Sequence, residues 1–532
     1  LNNFMLKPLG LSLLAASLGC MASVASAASV AEQAEGILNS QCVACHTKEG
    51  DNQWSRISHQ RKTPEGWLMT IARMQVVHGL KISDADRRVL VKHLSDTQGL
   101  APEETDGYRY VLERRLNAQE SIEPALLAEG CARCHSGARF KLQRRDEAEW
   151  EHLAHFHLGQ YPSAEYQMLS RDRDWFPIMM EKLVPMLGEQ QPLQSSEWSS
   201  WQQAAKTEMK GRWSVAGHMP GKGDLTATMV VTPLAGKDQF SVSMSGQYAD
   251  GTPLQGSGKA TLYTGYEWRA NLTIDGVRMR QVFAVRDGQL TGRMFNRNDE
   301  SMGADISAAH MDGRSTLLAV QPAYIKAGTQ SELTLVGTGL SGMPTFGKGV
   351  EVVSIRKDSD RRMHVTVRAS RHHEGVNSVS IGKAKGVELA LYKNIDKVNV
   401  VPDYAVARVG GNGGSTDKLF ARFEAEAWSA GKDGKTGTAD DFRIGMVPAT
   451  WEAKPFDDIA AADNDLSFAG RLDARTGVFS TADAGPNPQR RMMTNNAGHL
   501  TVTAQVQDGN QTHSADAELI VTIQRWNNPP IP

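Results

Sequence analysis

Two stretches of this chain read Cys-x-x-Cys-His: Cys42-Val43-Ala44-Cys45-His46 and Cys131-Ala132-Arg133-Cys134-His135. The spacing suits covalent attachment of a c-type haem. Two thiols add to the vinyl groups on one edge of a porphyrin, and the histidine that follows falls beneath the iron as one axial ligand. A single motif reads equally as half of a zinc site or as a redox-active dithiol. Two copies, each closed by histidine, point to haem and to an electron-transfer protein. The fifth cysteine, Cys20, lies in a segment with the marks of an export signal. Lys7 gives a thin positive start, Leu9 to Leu18 is largely apolar, and Ala25-Ser26-Ala27 forms a small-x-small cleavage site. Residues 1–27 are therefore expected to be removed, with Met5 a candidate initiator and lipidation at Cys20 the alternative. No cysteine then remains for a structural disulfide, which is unusual for an exported chain unless every thiol carries haem.

Charge narrows the field further. Lys+Arg 58 against Asp+Glu 60 leaves no basic field for nucleic acid. Beyond the leader, no run is long and apolar enough for a membrane helix, so a chain of 532 residues is read as several domains outside the cytoplasm.

Each haem that cycles electrons without binding substrate needs a second axial ligand. Downstream of the motifs, Trp67 and Trp150 each open an amphipathic helical stretch, and an iron-competent side chain follows seven residues later: Met74 and His157. Two helical turns put tryptophan and ligand on one face. This pairs His46 with Met74 on the first haem and His135 with His157 on the second. Thioether ligation favours reduced iron and bis-imidazole ligation a lower potential, which gives electron flow a direction. His78, Met69 and His59 compete with Met74; His152, His155 and Met168 compete with His157. Ser83 is expected to cap a helix through Leu94 that closes the first unit, and Phe176 to Leu187 is expected to close the second.

Beyond about residue 195 helical periodicity gives way to short alternating runs between glycine-rich turns. Thr226–Val231 and Phe240–Met244 read as strands, and Asp250-Gly251, Asp275-Gly276 and Asp287-Gly288 as hairpin turns. The domains expected are cytochrome c units over 28–115 and 116–194, a β-barrel over 195–316, an immunoglobulin-like β domain over 317–405 and a C-terminal β domain over 406–532. The fold class is thus multidomain, helical and then all-β. The last domain opens on the glycine-rich Gly410–Gly414, and its tail Pro529–Pro532 cannot pair in a sheet. Lys432–Asp441 has the composition of a calcium loop but misses its acidic spacing, so a solvated hairpin is favoured. His310, His372 and His373 have no evident partners and read as surface residues.

Two haem motifs followed by three β domains resemble the large (alpha) subunit of quinohaemoprotein amine dehydrogenase. The resemblance rests on both motifs, on the Trp67–Met74 and Trp150–His157 stretches, on Tyr263-Thr264-Gly265-Tyr266-Glu267-Trp268 and on the glycine-rich β segments. It implies oxidation of primary amines to aldehyde and ammonia in the periplasm of Gram-negative bacteria. It implies a heterotrimer with a β-propeller subunit and a small crosslinked subunit carrying cysteine tryptophylquinone and the catalytic base. Catalysis would then lie off this chain, with no catalytic residue here. The chain would carry electrons to a soluble cytochrome c or blue-copper protein through Cys42, Cys45, His46, Met74, Cys131, Cys134, His135 and His157. A dihaem peroxidase and a stand-alone dihaem carrier with β binding domains are the alternatives. Six-coordinate spectra at both haems would count against the first; haem reduction by a primary amine would count against the second.

Overall fold

The computed structural model describes residues 29–166, 174–411, 417–491 and 495–523. The expected leader with Cys20, the competing ligand Met168, the Asn412–Gly414 stretch and the proline tail lie outside them.

The helical half opens on Val30–Ile37. Ser29 and Glu32 form a reciprocal capping box there, which satisfies two amide donors at the helix start. The expected cap at Ser83 is present: its Oγ accepts from the Asp86 amide at 3.0 Å and starts the Asp84–Thr97 helix. These two helices pack through Ala34, Leu38, Leu90, Val91 and Leu94, all buried. Between them runs Pro64–His78, capped by Thr63 and stopped where Gly79 turns left-handed. The second unit repeats the plan with Glu147–Gln160, capped by Asp146. Its closing segment is helical from Trp175 to Gln190 but widens at Met179–Leu183. Two three-residue strands, Gln60–Lys62 and Gln143–Arg145, pair antiparallel and join the units.

Helix does not stop at residue 195. Ser195 caps a further helix, Ser196–Gln203, by accepting from the Trp198 amide, and buried Trp198 holds it to the helical half. The first barrel strand begins at Gly211. Eight antiparallel strands follow one another up and down, and the last, Gly303–His310, closes on the first. Gly223–Pro233 and Gln239–Tyr248 contain the two strands expected. At Asp275-Gly276 and Asp287-Gly288 both residues have positive φ, the geometry that matches hairpin twist. The barrel is filled. Trp213, Trp268, Phe283, Met229, Met244 and Met294 are buried in it, and the one buried amide there, Gln281, accepts from Trp268 Nε1 and donates to Met244 Sδ. His310 is not a bare surface residue. It packs edge-on against Trp213, and its Nε2 bonds the Lys210 carbonyl, contacts that barrel closure creates.

The next β region is two four-stranded sheets around Leu333, Leu335, Val365, Val379 and Leu389. The strand Lys397–Val401 pairs with Glu424–Ser429, so it belongs to the last β region and not to 317–405; alternation alone does not name a strand's partner. Two short helices, Asp458–Ala462 and Asp465–Ala469, interrupt that last region. In the Lys432–Asp441 connection, Asp440 accepts from the Lys432 and Asp433 amides and Asp441 from the Gly437 amide. Those carboxylates therefore hold a loop together.

One hairpin helps lock the barrel to the helical half, beside the Arg286–Asp106 and Arg115–Asp305 ion pairs and the Lys92–Asp238 pair. Thr264 and Gly265 turn with positive φ, and Thr264 donates to Asp96 and to the Ser95 carbonyl. Beside them Glu267 is buried between Arg109 and Arg269, and Arg269 reaches on to Glu65. Burial alone would raise the Glu267 carboxyl, but the two guanidinium groups hold it at about 2.

A second clasp joins the barrel to the last β region. His218 bonds Asp224 at 2.7 Å and Glu424 at 2.6 Å. Burial alone would lower the imidazole, but the two carboxylates push it up to about 10. A folded value above the unfolded one stabilises fully below about 6.5, and that gain is lost as pH rises toward 10. Since the side chain is 33% exposed, its contribution is about 2 kcal/mol after screening. His218→Gln is expected to lower the thermal midpoint at pH 6 and to leave it nearly unchanged at pH 10.5, as read by calorimetry.

Candidate metal centres

The Val30–Ile37 helix widens over Leu38–Cys42, where the Val43 amide reaches back to the Leu38 carbonyl. Such wide turns recur at functional sites. The Cys45 and His46 amides then both close on the Cys42 carbonyl, which gathers two thiols and an imidazole in one turn. The second motif begins at the end of the Ala125–Cys131 helix. Cys42 and Cys131 are half-buried; Cys45 and Cys134 are exposed. Burial pushes the Cys131 thiol up to about 12. Burial, then the neighbouring Cys45, raises Cys42.

Three candidate axial histidines are oriented in the same way. His46 Nδ1 bonds the Ser55 carbonyl at 2.8 Å, His135 Nδ1 the Ser136 carbonyl at 2.9 Å, and His157 Nδ1 the Leu153 carbonyl at 2.8 Å. A carbonyl accepts only, so Nδ1 carries the proton and the lone pair sits on Nε2, the arrangement of a metal-ready imidazole. The competitors are placed otherwise. His59 uses both nitrogens on Glu49 and Asp146. His152 turns to Glu149, and His155 packs edge-on against Phe176. His78 ends its helix exposed, and Met69 is exposed, whereas Met74 is half-buried.

Burial, then His135, Arg139 and Arg73, lower the His157 imidazole against the opposing pull of the Leu153 carbonyl. No hydrogen bond joins Met74 to His46. Near them Cys42 packs against the core of Trp54, Trp67 and Ile71.

The internal repeat extends further upstream than the tryptophans. At one constant offset, Gln60-Arg61-Lys62 matches Gln143-Arg144-Arg145. Lys62 lies over the Trp67 ring at 5.3 Å and Arg145 over the Trp150 ring at 5.5 Å. The Lys62 amide bonds the Gln98 carbonyl, and the Arg145 amide bonds the Gln191 carbonyl. Arg61 and Arg144 converge on buried Glu104, which also accepts from Ser195 Oγ and the Ala101 amide. Comparing the two triplets marks these positions as equivalent from sequence, and folding brings them together. Glu120 had no such signal: it accepts from Tyr110, Ser136 and the Gly137 and Ala138 amides, and so fixes the carbonyl that orients His135.

These residues fit haem. Each unit has two thiols and an imidazole with a free Nε2, and each has a buried indole N–H without a partner, Trp54 Nε1 and Trp150 Nε1. Lys62 is buried, donates to Thr70 Oγ1 and makes no ion pair among the described residues; burial, then Arg145 and Arg73, push its ammonium well below the ordinary lysine range, so a nearby anion would favour its charged form. Haem propionates are the acceptors and anions that such groups take.

Family models cover most of the chain. The model described as quinohemoprotein amine dehydrogenase A, alpha subunit, haem binding, matches residues 32–198. Those for alpha-subunit domains II, III and IV match 206–311, 314–393 and 398–531. No curated protein matches. Similar solved structures include the redesigned β-barrel mFAP1 bound to DFHBI, 20% identical over 19% of this chain and 94% of that one, TM-score 0.17. Drosophila N-cadherin EC1-3 is 10% identical over 55% and 91%, TM-score 0.19. Likenesses this low carry no argument.

Proposed function

Since the chain belongs to the quinohemoprotein amine dehydrogenase alpha-subunit family, we propose that it is the dihaem electron-transfer subunit of a periplasmic amine-oxidising complex. The observation that carries this reading is the pair of Cys-x-x-Cys-His turns, each with its histidine oriented through Nδ1 to a backbone carbonyl. Bound there, each haem would carry one electron at a time, so the pair matches the two electrons released when a primary amine becomes aldehyde and ammonia.

The chain's own residues have the following roles. Cys42 and Cys45 tether the first haem, and Cys131 and Cys134 the second. His46 and Met74 would hold the first iron, and His135 and His157 the second. Ser55, Ser136 and Leu153 keep the imidazoles in the ligating tautomer. The indoles of Trp54 and Trp150, with Lys62 and Arg145, hold propionates. A thioether on one iron and two imidazoles on the other make the first haem the higher in potential. We also read the two-sheet region Thr316–Tyr392 as immunoglobulin-like, on its two packed four-stranded sheets. By the family resemblance, the quinone (cysteine tryptophylquinone) and the catalytic base sit on a small partner subunit. A β-propeller subunit completes the complex, and a soluble cytochrome or blue-copper protein takes the electrons. No helix among the described residues is long and apolar enough to cross a membrane.

The test is to purify the native complex, identify its chains and follow its visible spectrum after adding a simple primary amine. Copurifying smaller subunits, two c-type haems on this chain and amine-driven haem reduction are expected. Zinc in place of haem, or haems that the amine leaves oxidised, would overturn the reading. Met74→His and His78→Ala settle the first ligand: only the former is expected to abolish the thioether–iron absorption band and lower that haem's potential.

A further inference from the structure

The strands Gln60–Lys62 and Gln143–Arg145 pair with Arg61 opposite Arg144. These arginines hold equivalent places in the internal repeat, as do Trp67 and Trp150, Met74 and His157, and Arg73 and Phe156. Where equivalent positions of a repeat touch each other, an approximate twofold axis passes between them. That happens at Arg61 and Arg144. It happens again at Arg73 and Phe156, where the guanidinium lies 4.7 Å from the ring centroid. The second contact joins the two helices immediately before Met74 and immediately before His157. A strict repeat would set arginine on arginine there, with like charges in contact. Phenylalanine in the second copy lets one cation rest on a ring face instead.

Arg73 therefore belongs to the first unit while its charge acts in the second. The ring it rests on, Phe156, is a second-unit residue directly before His157, so the guanidinium sits one residue from the candidate ligand. Phe156 in turn packs edge-on against His157 and Tyr161, which fixes the ring that Arg73 needs.

We propose that Arg73 is a positioning residue that couples the two centres: a cation carried by the first unit and held on Phe156 beside the second unit's distal histidine, where it raises the electron affinity of the second haem. The proposal rests on His157 being that haem's ligand. The physical reason is Coulombic. Reduction lowers the charge at the iron by one, so a nearby cation favours the reduced form, most strongly where water is excluded. The low potential that two imidazoles impose is partly offset, and the drop between the centres narrows.

The experiment is a potentiometric titration of the whole complex, wild type against Arg73→Gln, Arg73→Lys and Phe156→Leu. The two haems are followed separately by their visible and paramagnetic spectra. Arg73→Gln is expected to weaken the second haem's electron affinity about tenfold, a midpoint 59 mV lower for a one-electron couple, and to move the first haem less. Arg73→Lys keeps the charge and is expected to recover most of the shift, which a purely structural role would not do. Phe156→Leu frees the cation and is expected to lower the second midpoint by a smaller factor; it also serves if Arg73→Gln fails to load haem. An unchanged second midpoint, or a larger shift at the first haem, with both haems six-coordinate, would overturn this proposal and leave the functional reading standing. A wild-type second haem without the bis-histidine signature would instead sink the ligand assignment, and the proposal with it.

Discussion

Glu104→Ala is expected to destabilise the helical half by about 3–5 kcal/mol, because it strips the counter-charge from buried Arg61 and from the partly buried Arg144 that faces it. Glu104 meets Arg61 Nη1 at 2.7 Å and Nη2 at 2.8 Å, and Arg144 Nε at 3.1 Å. Arg61 also donates to the Gly99 carbonyl and lies over Trp198, so the lost anion is felt at both units and at the helix that leads to the barrel. Denaturant titration followed by haem absorbance and by tryptophan fluorescence measures the loss. The pH dependence gives an independent check. Burial alone would raise the Glu104 carboxyl, but Arg61 first and then Arg144 hold it below the ordinary carboxylate range. A folded value below the unfolded one stabilises above the ordinary range and is lost as pH falls through the folded value. Wild type should therefore weaken on acidification more steeply than Glu104→Gln. Equal acid slopes in the two proteins would show that the clamp contributes little.

Cys131→Ser with Cys134→Ser is expected to halve the covalent haem content of the chain and to abolish electron delivery from amine to an external acceptor. On the proposed reading the thiols would tether the haem of the second unit, whose core of Leu127, Trp150, Trp175 and Leu183 has Cys131 packed against it. Without the tether, Trp150 Nε1 stays buried and unsatisfied, which costs about 1–3 kcal/mol, and the second unit should loosen first. Haem quantification after denaturation, with hydrogen exchange over 120–190, reads both effects. Full haem content in the double variant would remove the covalent assignment at that site.

The sequence spells out what depends on spacing along the chain. The Ser83 cap and the paired positive-φ turns at Asp275-Gly276 and Asp287-Gly288 stand where local chemistry demands them. The family itself could be named from motif order. What escaped depends on partners distant in sequence. Three-residue strands such as Gln60–Lys62 are too short to show alternation, so their pairing across the two units leaves no periodic trace. Lys397–Val401 falls inside the expected 317–405 domain, and only its bonds to Glu424–Ser429 give it to the last β region. Ser196–Gln203 is short and polar enough to pass for a linker, and burial of Trp198 is what makes it helix. Glu104, Glu120 and Glu267 look like surface carboxylates in the sequence. Each is set by arginines or amides that folding brings in.

The Tyr263–Glu267 hairpin bears on whether the haem-binding helical half can be made into a portable component. Cutting the chain after Gln203 would bare Glu65, Asp96 and Arg109, all of which now meet barrel residues. Anyone transplanting the haem-binding half into another scaffold must therefore carry that loop along or redesign the wall it covers.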